Sequence, residues 1–373
     1  AGNIWVADSF NNRVVRFPAG SKTANLVLGQ STFTANGSGT AMNRMYHPTG
    51  VRVHPVTQEV LVLDGQDDLS PGPRMMVFRP PFSNGMNAHR IFGTNYLSWS
   101  RGFCVDPFDS NVVWVADGGK DRIVKFNHVT GQALDVIGQI NLTSYIGVGK
   151  YVRPDGSVAD FRQPDGSISI DTQTNLYFSS FYGLNKIMRI PLPITRNPQG
   201  HVWSNGEMMK EGMNENSGRT MQDHYGMTRW GTQLYVRDRQ RVLVWTNFQS
   251  AVTFQSADYV IGQTGLDKNE PGGTFEGRGP TMIHSASNFL FVCTDWKLFI
   301  FQTPITNTSR TYAPIKTIDG GQLNQVRWAD DSSDARPVHF NGVCYDPVSN
   351  VLWVAHNHSA GNPGARVLRI RNP

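Results

Sequence analysis

The sequence predicts an all-β fold that is built from one repeated unit of four strands. Three observations lead to this prediction: a hairpin-like pattern recurs along the chain, turn residues are abundant, and no long stretch has helical periodicity. Gly (37) and Pro (21) are plentiful, 11% of residues are aromatic and 17% are charged, which is typical of a folded, turn-rich β protein. Because the pattern recurs over the whole chain, it predicts a repeat architecture.

The recurring pattern consists of two short runs of Val, Ile, Leu and aromatic residues around a polar turn, which is the signature of a β-hairpin. From Asp8 to its counterpart His356 there are six intervals over 348 residues, an average of 58 residues each. Seven copies align: IWVADSFNNRVVRF from Ile4, VLVLDGQDDLSPGPRMMVF from Val60, VWVADGGKDRIVKF from Val113, LYFSSFYGLNKIMRI from Leu176, LYVRDRQRVLVW from Leu234, LFVCTDWKLFIF from Leu290 and LWVAHNHSAGNPGARVLRI from Leu352.

Two further strands flank most hairpins. An apolar run such as TGVRVHP or RGFCVDP precedes them, and a run such as NLVLGQ or LDVIGQ follows them. Four strands per unit, repeated radially, form the blades of a β-propeller. In the fourth unit the last strand is assigned to HVWSNG, from His201.

We expect a single propeller domain over residues 1–373, with seven blades favoured and six as the alternative. The terminal blades are expected to be incomplete, because the first unit lacks a leading strand and the last unit lacks a trailing one. The abrupt start leads us to expect that residues upstream of Ala1 are cleaved off or missing. The units start near residues 1, 48, 100, 164, 224, 279 and 339.

Each hairpin turn lies between an acidic and a basic position. Because these positions flank one turn, an arginine can reach the carboxylate with two hydrogen bonds. A catalytic pair is needed once, whereas this pair recurs, so it is interpreted as structural; Ser180 and His356 replace the acid in two units. The pairs are Asp8 and Arg13, Asp64 and Arg74, Asp117 and Arg122, Asp238 and Arg241, and Asp295 and Lys297, with Lys186 and Arg366 at the remaining basic positions.

Function is expected where the repeats differ. The residue three before the Gly, or its equivalent, at the head of each innermost strand should lie near a channel mouth. These residues vary and are mostly polar, so they are the candidate ligand positions: His47, Trp99, Gln163, Asp223, Arg278 and His339.

The run WVAD…NNRVVRF with the trailing LVLGQ resembles the NHL repeat, which builds β-propellers. The resemblance covers essentially the whole chain and is strongest in the first and third units. Long spacers such as STFTANGSGTAMNRMYHPTG resemble those of NHL proteins predicted to be secreted in microbes. One NHL-like family, the peptidylglycine amidating lyases, holds a histidine-bound zinc in its channel. Imidazole and carboxylate groups facing a shared channel suit zinc or similar ions, so His47, Asp223 and His339 are weak candidate ligands for zinc or calcium, and the resemblance adds to this interpretation. No cofactor is otherwise predicted.

Other chemistry has little support in the sequence. No GxSxG, HExxH, Walker or dinucleotide-binding motif is present, and no run of about 18 apolar residues could span a membrane. Basic residues are scattered despite the net charge of +5, so nucleic acid is not an expected partner. Asn-x-Ser/Thr sequons that could carry glycans occur at Asn36, Asn141, Asn307 and Asn357.

The leading hypothesis is therefore a non-enzymatic binding or scaffold propeller, extracellular or at the cell surface, with the periplasm as a further compartment. Its loops and channel mouth would bind a protein, a glycan or a second copy of the chain. The alternative is a metal-dependent lyase, lactonase or hydrolase with a channel site. A third hypothesis is an RNA-binding NHL domain, which predicts salt-dependent retention on heparin.

Overall fold

The computed structural model describes residues 2–21, 23–65, 72–145, 147–180, 186–208, 210–211, 220–221, 226–251, 253–269, 273–275, 279–294, 297–306, 312–319, 340–347, 350–356 and 366–371. Nearly all regular structure in these residues is β, with three short 3₁₀ turns at Ser9–Asn11, Gly118–Lys120 and Phe248–Ser250. The chain divides into two compact units, Ala1–Glu207 and Met208–Pro373, which are described separately.

The first unit opens with three antiparallel sheets, which we number in chain order. Sheet one contains β1 (Ile4–Asp8), β2 (Arg13–Phe17) and β3 (Leu26–Leu28). Sheet two contains β4 (Pro48–Val53), β5 (Val60–Asp64), β6 (Arg74–Phe78) and β7 (Arg90–Phe92). Sheet three contains β8 (Ser100–Val105), β9 (Val112–Asp117), β10 (Arg122–Asn127) and β11 (Ala133–Ile137).

An additional hairpin follows sheet three. It is formed by β12 (Gly149–Val152) and β13 (Val158–Phe161). Sheet four then contains β14 (Pro164–Ile170), β15 (Asn175–Ser180) and β16 (Lys186–Pro191). The short β17 (Val202–Trp203) pairs in parallel with β12, and β18 (Gly206–Met208) is the fourth strand of sheet four. The assignment of that fourth strand to HVWSNG was therefore wrong, because Val202 and Trp203 complete the additional sheet.

The second unit continues the same plan. A two-stranded pair, β19 (Lys210–Glu211) and β20 (Thr220–Met221), precedes sheet five. Sheet five contains β21 (Gly226–Trp230), β22 (Gln233–Asp238), β23 (Arg241–Trp245) and β24 (Tyr259–Ile261). Sheet six contains β25 (Met282–Ala286), β26 (Phe289–Cys293), β27 (Lys297–Gln302) and β28 (Lys316–Asp319). Sheet seven contains β29 (Phe340–Asp346), β30 (Val351–His356) and β31 (Arg366–Arg371).

Consecutive strands pair antiparallel in sheets two, three, five and six, because each short connection returns the chain beside the strand that it has left. Successive sheets pack face to face within each unit. In the first unit, Leu61 and Leu63 of sheet two share one buried cluster with Val113 and Val115 of sheet three. In the second unit, Tyr235 of sheet five packs in a cluster with Leu290 of sheet six. The predicted all-β fold with propeller-type blades is confirmed, whereas the blade count and the single domain remain predictions.

The partner prediction included the absence of a membrane span. In the described part of the chain, no helix has the length and apolar character needed to cross a membrane.

Candidate functional site

The acidic and basic repeat positions meet as ion pairs at one end of four sheets. Asp8 and Arg13, Asp64 and Arg74, Asp117 and Arg122, and Asp238 and Arg241 are cross-strand neighbours at the hairpin end. The arginine Nε lies 2.7, 3.0, 2.7 and 2.7 Å from a carboxylate oxygen, in the same order. We call each such pair a clamp. Asp295 lies outside the described residues, and Lys297 is paired in register with Asp319 on β28.

The clamps of sheets two and three also hold the segment that leads into the first strand of their own sheet. In sheet three, the backbone N–H of Ser98 donates to Asp117 Oδ1 at 2.6 Å, and Arg122 donates to the carbonyl of Tyr96 at 2.9 Å. In sheet two, the N–H of Tyr46 donates in the same way to Asp64 Oδ1 at 2.7 Å. Charge-assisted hydrogen bonds of this kind fix backbone position strongly. These two clamps therefore hold the backbone that carries His47 and Trp99.

Three of the clamps, those of sheets two, three and five, are buried. Burial raises the pKa of Asp64 to about 6, although the charge of Arg74 and the hydrogen bond from Tyr46 oppose the shift. Burial likewise raises the pKa of Asp117 above its usual range, against the opposing charge of Arg122. Desolvation disfavours an ionised carboxylate. These carboxylates therefore depend on their arginines to remain charged in the fold.

Three of the predicted channel-mouth residues, His47, Trp99 and Gln163, occupy equivalent places. Each stands immediately before an innermost strand, β4, β8 or β14, and each has a left-handed backbone, with φ of 55°, 48° and 39°. Such values are uncommon for residues other than glycine. The N–H of His47 donates to Asn12 Oδ1 at 2.9 Å, and that of Gln163 donates to Asp121 Oδ1 at 2.6 Å. We call these three residues the rim.

Each rim residue is followed by an irregularity in the innermost strand. The pairing register shifts between Pro48 and Gly50, between Ser100 and Gly102, and between Asp165 and Ile168. Bulges of this kind bend a strand and redirect the side chains beside it, and they are frequent next to functional sites. The repeated bulge explains why one spacing rule in the sequence located three structurally equivalent residues.

The rim residues Trp99 and Gln163 come together around Gly118. A Cβ atom on Gly118 would lie only 2.9 Å from the Trp99 carbonyl oxygen, 3.4 Å from that of Pro164 and 3.9 Å from Gln163 Cα. The corresponding residue of sheet one is Ser9, whose hydroxyl donates to the Pro48 carbonyl. In both sheets, the turn after the strand that ends in the clamp aspartate therefore contacts the start of the first strand of the following sheet.

The turn of sheet one differs from that of sheet three because it carries an aromatic cluster, which is formed by Phe10, Tyr46 and His47. The Phe10 ring packs edge-on against His47 with centroids 5.3 Å apart, and Tyr46 lies 5.3 Å from the same imidazole. Phe10 is 64% exposed, and the corresponding residue of sheet three is Gly119. The sequence prediction missed Phe10, because its turn was interpreted only as part of the repeat. A comparison of the turns would have shown a phenylalanine where another copy has glycine.

The remaining predicted channel-mouth residues, Asp223, Arg278 and His339, lie outside the described residues. The six-residue ring and the metal site of His47, Asp223 and His339 therefore remain predictions. Within the described ranges there is no group of three or more His, Cys, Asp and Glu side chains that could hold a metal ion.

Sheet four departs from the clamp. Ser180 takes the place of the aspartate, and its hydroxyl accepts from the N–H of Arg162 at 2.9 Å and donates to the carbonyl of the same residue at 2.8 Å. Lys186 instead lies 3.7 Å from Glu207 Oε2, and Arg153 of the additional hairpin donates to Glu207 Oε1 at 2.9 Å. Burial raises the pKa of Glu207 to about 7. The sequence signal for this substitute acid was the loss of aspartate at position 180.

Two of the four sequons can be placed. Asn36 and Asn141 are exposed, whereas Asn307 and Asn357 lie outside the described residues. Asn141 forms an Asx turn in which its Oδ1 accepts from both the N–H and the hydroxyl of Thr143 at 3.0 Å.

Burial raises the pKa of the Cys104 and Cys293 thiols to about 12, so these cysteines stay protonated and unreactive.

Comparison with known proteins adds little to this description. No protein family matches the sequence, and no curated protein matches it either. One solved structure that resembles the chain is described as the crystal structure of a nidogen/laminin complex, with 14% identity, 86% of this chain and 94% of that chain covered, and a TM-score of 0.45. The strand order and pairing of the chain itself carry the fold assignment, and membership of the NHL family remains a prediction.

Proposed function

We propose that the chain is a non-enzymatic binding protein that engages a protein partner at the rim, with Phe10, Tyr46 and His47 as the contact. The observation that carries this proposal is the exposed Phe10 ring, which packs on His47 at a turn position where sheet three has Gly119. Burial of an exposed aromatic side chain against a partner contributes about 2 kcal/mol of favourable transfer free energy. Such aromatic anchors dominate the energy of many protein interfaces.

The backbone beneath the aromatic cluster suits such a contact. The His47 N–H is held by Asn12, and the neighbouring Tyr46 N–H is held by the buried Asp64. A site whose backbone is already fixed loses little conformational entropy on binding, so more of the contact energy appears as affinity. This arrangement supports a preformed contact surface.

An extracellular or cell-surface location forms part of the proposal. The exposed Asn141, with the Thr143 hydroxyl already bonded to its side chain, supports it. If the proposal is correct, protein from the native source carries a glycan on Asn141. A mass spectrum with only unmodified Asn141 would remove this support.

The test of the binding proposal replaces Phe10 with a photo-crosslinking amino acid in the full chain. The matched control carries the same crosslinker at Phe108, which is 57% exposed but follows β8 at the end of sheet three opposite Trp99. We expect one protein to be captured at position 10 and not at position 108. Equal capture at the two positions would contradict a contact at the rim.

Binding of that captured protein is then measured with purified components. We expect Phe10→Ala and His47→Ala each to weaken binding at least tenfold, with Phe108→Ala unchanged.

Metal analysis of the same wild-type protein tests the alternative enzyme. Stoichiometric zinc or calcium that is lost in His339→Ala would contradict the non-enzymatic proposal and favour a metal-dependent activity.

A further inference from the structure

At the end of the sheets opposite the rim, the turn after the first strand is closed by one side chain. In sheet three this residue is Asp106, which follows β8, and its Oδ1 accepts from the N–H groups of the second and third residues after it, at 2.9 and 3.2 Å. In sheet two the equivalent residue, after β4, is His54. Its Nδ1 accepts from the corresponding two N–H groups at 3.3 and 3.0 Å. An imidazole therefore takes the place of a carboxylate in the β4–β5 turn.

These hydrogen bonds fix the protonation state of His54. Two backbone N–H groups donate to Nδ1, so this nitrogen carries no proton. The other nitrogen, Nε2, lies 2.6 Å from the carbonyl oxygen of Ser110, which can only accept, so Nε2 carries the proton. The fully buried ring is therefore a neutral imidazole. A proton on Nδ1 would remove the acceptor of both N–H groups of the turn.

The charged groups around His54 oppose a second proton on its ring. The ring of His128 packs on that of His54 with centroids 4.9 Å apart. Its Nδ1 lies 3.0 Å from the Asn111 carbonyl oxygen, and its Nε2 lies 3.2 Å from Glu59 Oε2. Because both partners are acceptors, both nitrogens donate and His128 carries a positive charge. Glu59 also pairs with Arg79, so one carboxylate already faces two cations.

The acids of the β8–β9 turn, which supplies the Ser110 carbonyl, are bonded within their own part of sheet three. Asp106 accepts from its turn and also from Trp114 Nε1 at 3.0 Å. Asp109 accepts from the N–H of Asn111 at 3.1 Å. These carboxylates keep their acceptor atoms in the pH range where histidine titrates, whereas Nδ1 of His54 does not.

We propose that His54 is an acid-sensitive switch that opens the β4–β5 turn. As the pH falls through the usual range of histidine, around about 6.5, a proton on Nδ1 breaks both hydrogen bonds and places a second positive charge against His128. The open turn accepts this proton more readily than the closed turn, so the closed form is favoured above this range and lost below it. Opening changes the surface around Val56, which is 71% exposed, at the junction of sheets two and three.

The proposal is tested by amide hydrogen exchange on the full chain at about pH 7.5 and about pH 5. The rates are compared as protection factors, which remove the intrinsic effect of pH on exchange. Protection of the N–H groups of Val56 and Thr57 is expected to fall at least about tenfold at the lower pH. The internal control is the turn closed by Asp106, where protection of Phe108 and Asp109 is expected to stay unchanged.

The matched variant is His54→Asn. Asparagine can accept the same two hydrogen bonds without titrating, as Asn127 does in the β10–β11 turn, where its Oδ1 accepts from the N–H groups of Val129 and Thr130 at 2.9 Å. Protection of the β4–β5 turn in this variant is expected to be the same at both pH values. The variant keeps Asp64, whose pKa burial raises to about 6 at the other end of sheet two, so the comparison separates His54 from this carboxyl.

Three results would overturn the proposal. They are unchanged protection of the β4–β5 turn at the lower pH, an equal loss in the turn of Asp106, and the same pH dependence in His54→Asn. If that variant does not fold, the nitrogen-15 chemical shifts of the wild-type imidazole decide. The proposal requires an unprotonated Nδ1 at about pH 7.5, and a protonated Nδ1 beside protected turn amides would contradict it. None of these measurements involves a partner bound at Phe10, so this proposal and the binding proposal at the rim can fail separately.

Discussion

Sheets one and three carry nearly the same sequence motif in different surroundings. The clamp of sheet three is buried, with Arg122 and Asp117 at 3% and 0% exposure, whereas Arg13 and Asp8 of sheet one are at 18% and 14%. The Nε–carboxylate distance is 2.7 Å in both. The difference comes from β8, which covers β9, whereas no described strand covers β1 in the same way. Two copies of the same motif can therefore contribute differently to the free energy of unfolding when a neighbouring strand buries only one of them.

The two sheets also differ at the turn that follows the clamp aspartate. Sheet three has Gly118 and Gly119, packed closely against Trp99 and Ser98, whereas sheet one has Ser9 and the exposed Phe10. The repeated part of the motif fixes the backbone, and the variable part decides what faces solvent. This is the reason for placing the binding contact at Phe10 and a structural role at Asp8 and Arg13.

The largest effect is expected from Arg122→Ala. The substitution leaves the buried Asp117 carboxylate without its ion pair and removes the hydrogen bonds to Tyr96 and Leu142. Loss of one partner from a buried pair costs about 3–5 kcal/mol. Urea denaturation should show this loss in the free energy of unfolding. A loss below about 1 kcal/mol would mean that the clamp of sheet three is not an important structural contact.

A smaller effect is expected when the turns are exchanged by Gly118→Ser. The new Cβ would lie 2.9 Å from the Trp99 carbonyl oxygen, so the backbone at Trp99 must move away, at a cost of about 1–3 kcal/mol. The reverse change, Ser9→Gly, removes one hydrogen bond to Pro48 and should cost about 1 kcal/mol. Thermal denaturation of the two variants compares the turns directly. A greater loss for Ser9→Gly would contradict the closer packing of sheet three.

A pH-dependent effect is expected from Glu59→Gln, at a network between sheets two and three. Burial opposes ionisation of Glu59, but hydrogen bonds from Arg79, Thr57 and His128 and the charge of Arg79 lower its pKa overall. A lowered carboxyl pKa contributes stability above the ordinary value of 4.5, and the contribution is lost as the pH falls through the folded pKa. The variant should be less stable than wild type by about 1–2 kcal/mol at pH 7.

The stability difference between wild type and Glu59→Gln should shrink below pH 4.5. Denaturation series at pH 7 and pH 3.5 measure it, with Val56→Ala, at an exposed position of the same turn, as a control that leaves the hydrogen bonds of Glu59 in place. A difference that is the same at both pH values would show that Glu59 acts through packing and not through its charge.

The smallest effect is expected from Arg13→Ala. The pair with Asp8 is partly solvated, and ion pairs that water reaches contribute about 0–1 kcal/mol. The free energy of unfolding should therefore fall by about 1 kcal/mol at most. A loss as large as that of Arg122→Ala would refute the comparison between the two sheets.

Much of the fold could be predicted because each hairpin of the repeat is formed by residues that are close together in the sequence. The hairpins around Asp8, Asp64, Asp117 and Asp238 follow from apolar runs that flank a short turn. The sheet formed by β12, β13 and β17 was missed, because Tyr151 pairs in parallel with the distant Val202. Such a pairing leaves no periodic signal in either segment.

The candidate site was only partly accessible from the sequence. The spacing before each innermost strand located His47, Trp99 and Gln163, because a bulge recurs there. Glu207 was missed, since it reaches Lys186 and Arg153 from a strand that the sequence prediction had placed elsewhere. A comparison of the turns shows Phe10 where sheet three has Gly119, but the contact of Phe10 with His47 is seen only in the structure.

The most direct test of this account is a pair of double-mutant cycles, one on Asp117 and Arg122 and one on Asp8 and Arg13, with unfolding free energies measured in urea. The account predicts a coupling energy of at least about 2 kcal/mol in the buried clamp and below about 1 kcal/mol in the half-exposed one. Equal coupling energies in the two clamps would contradict the claim that burial by the covering strand determines how much the clamp contributes to stability.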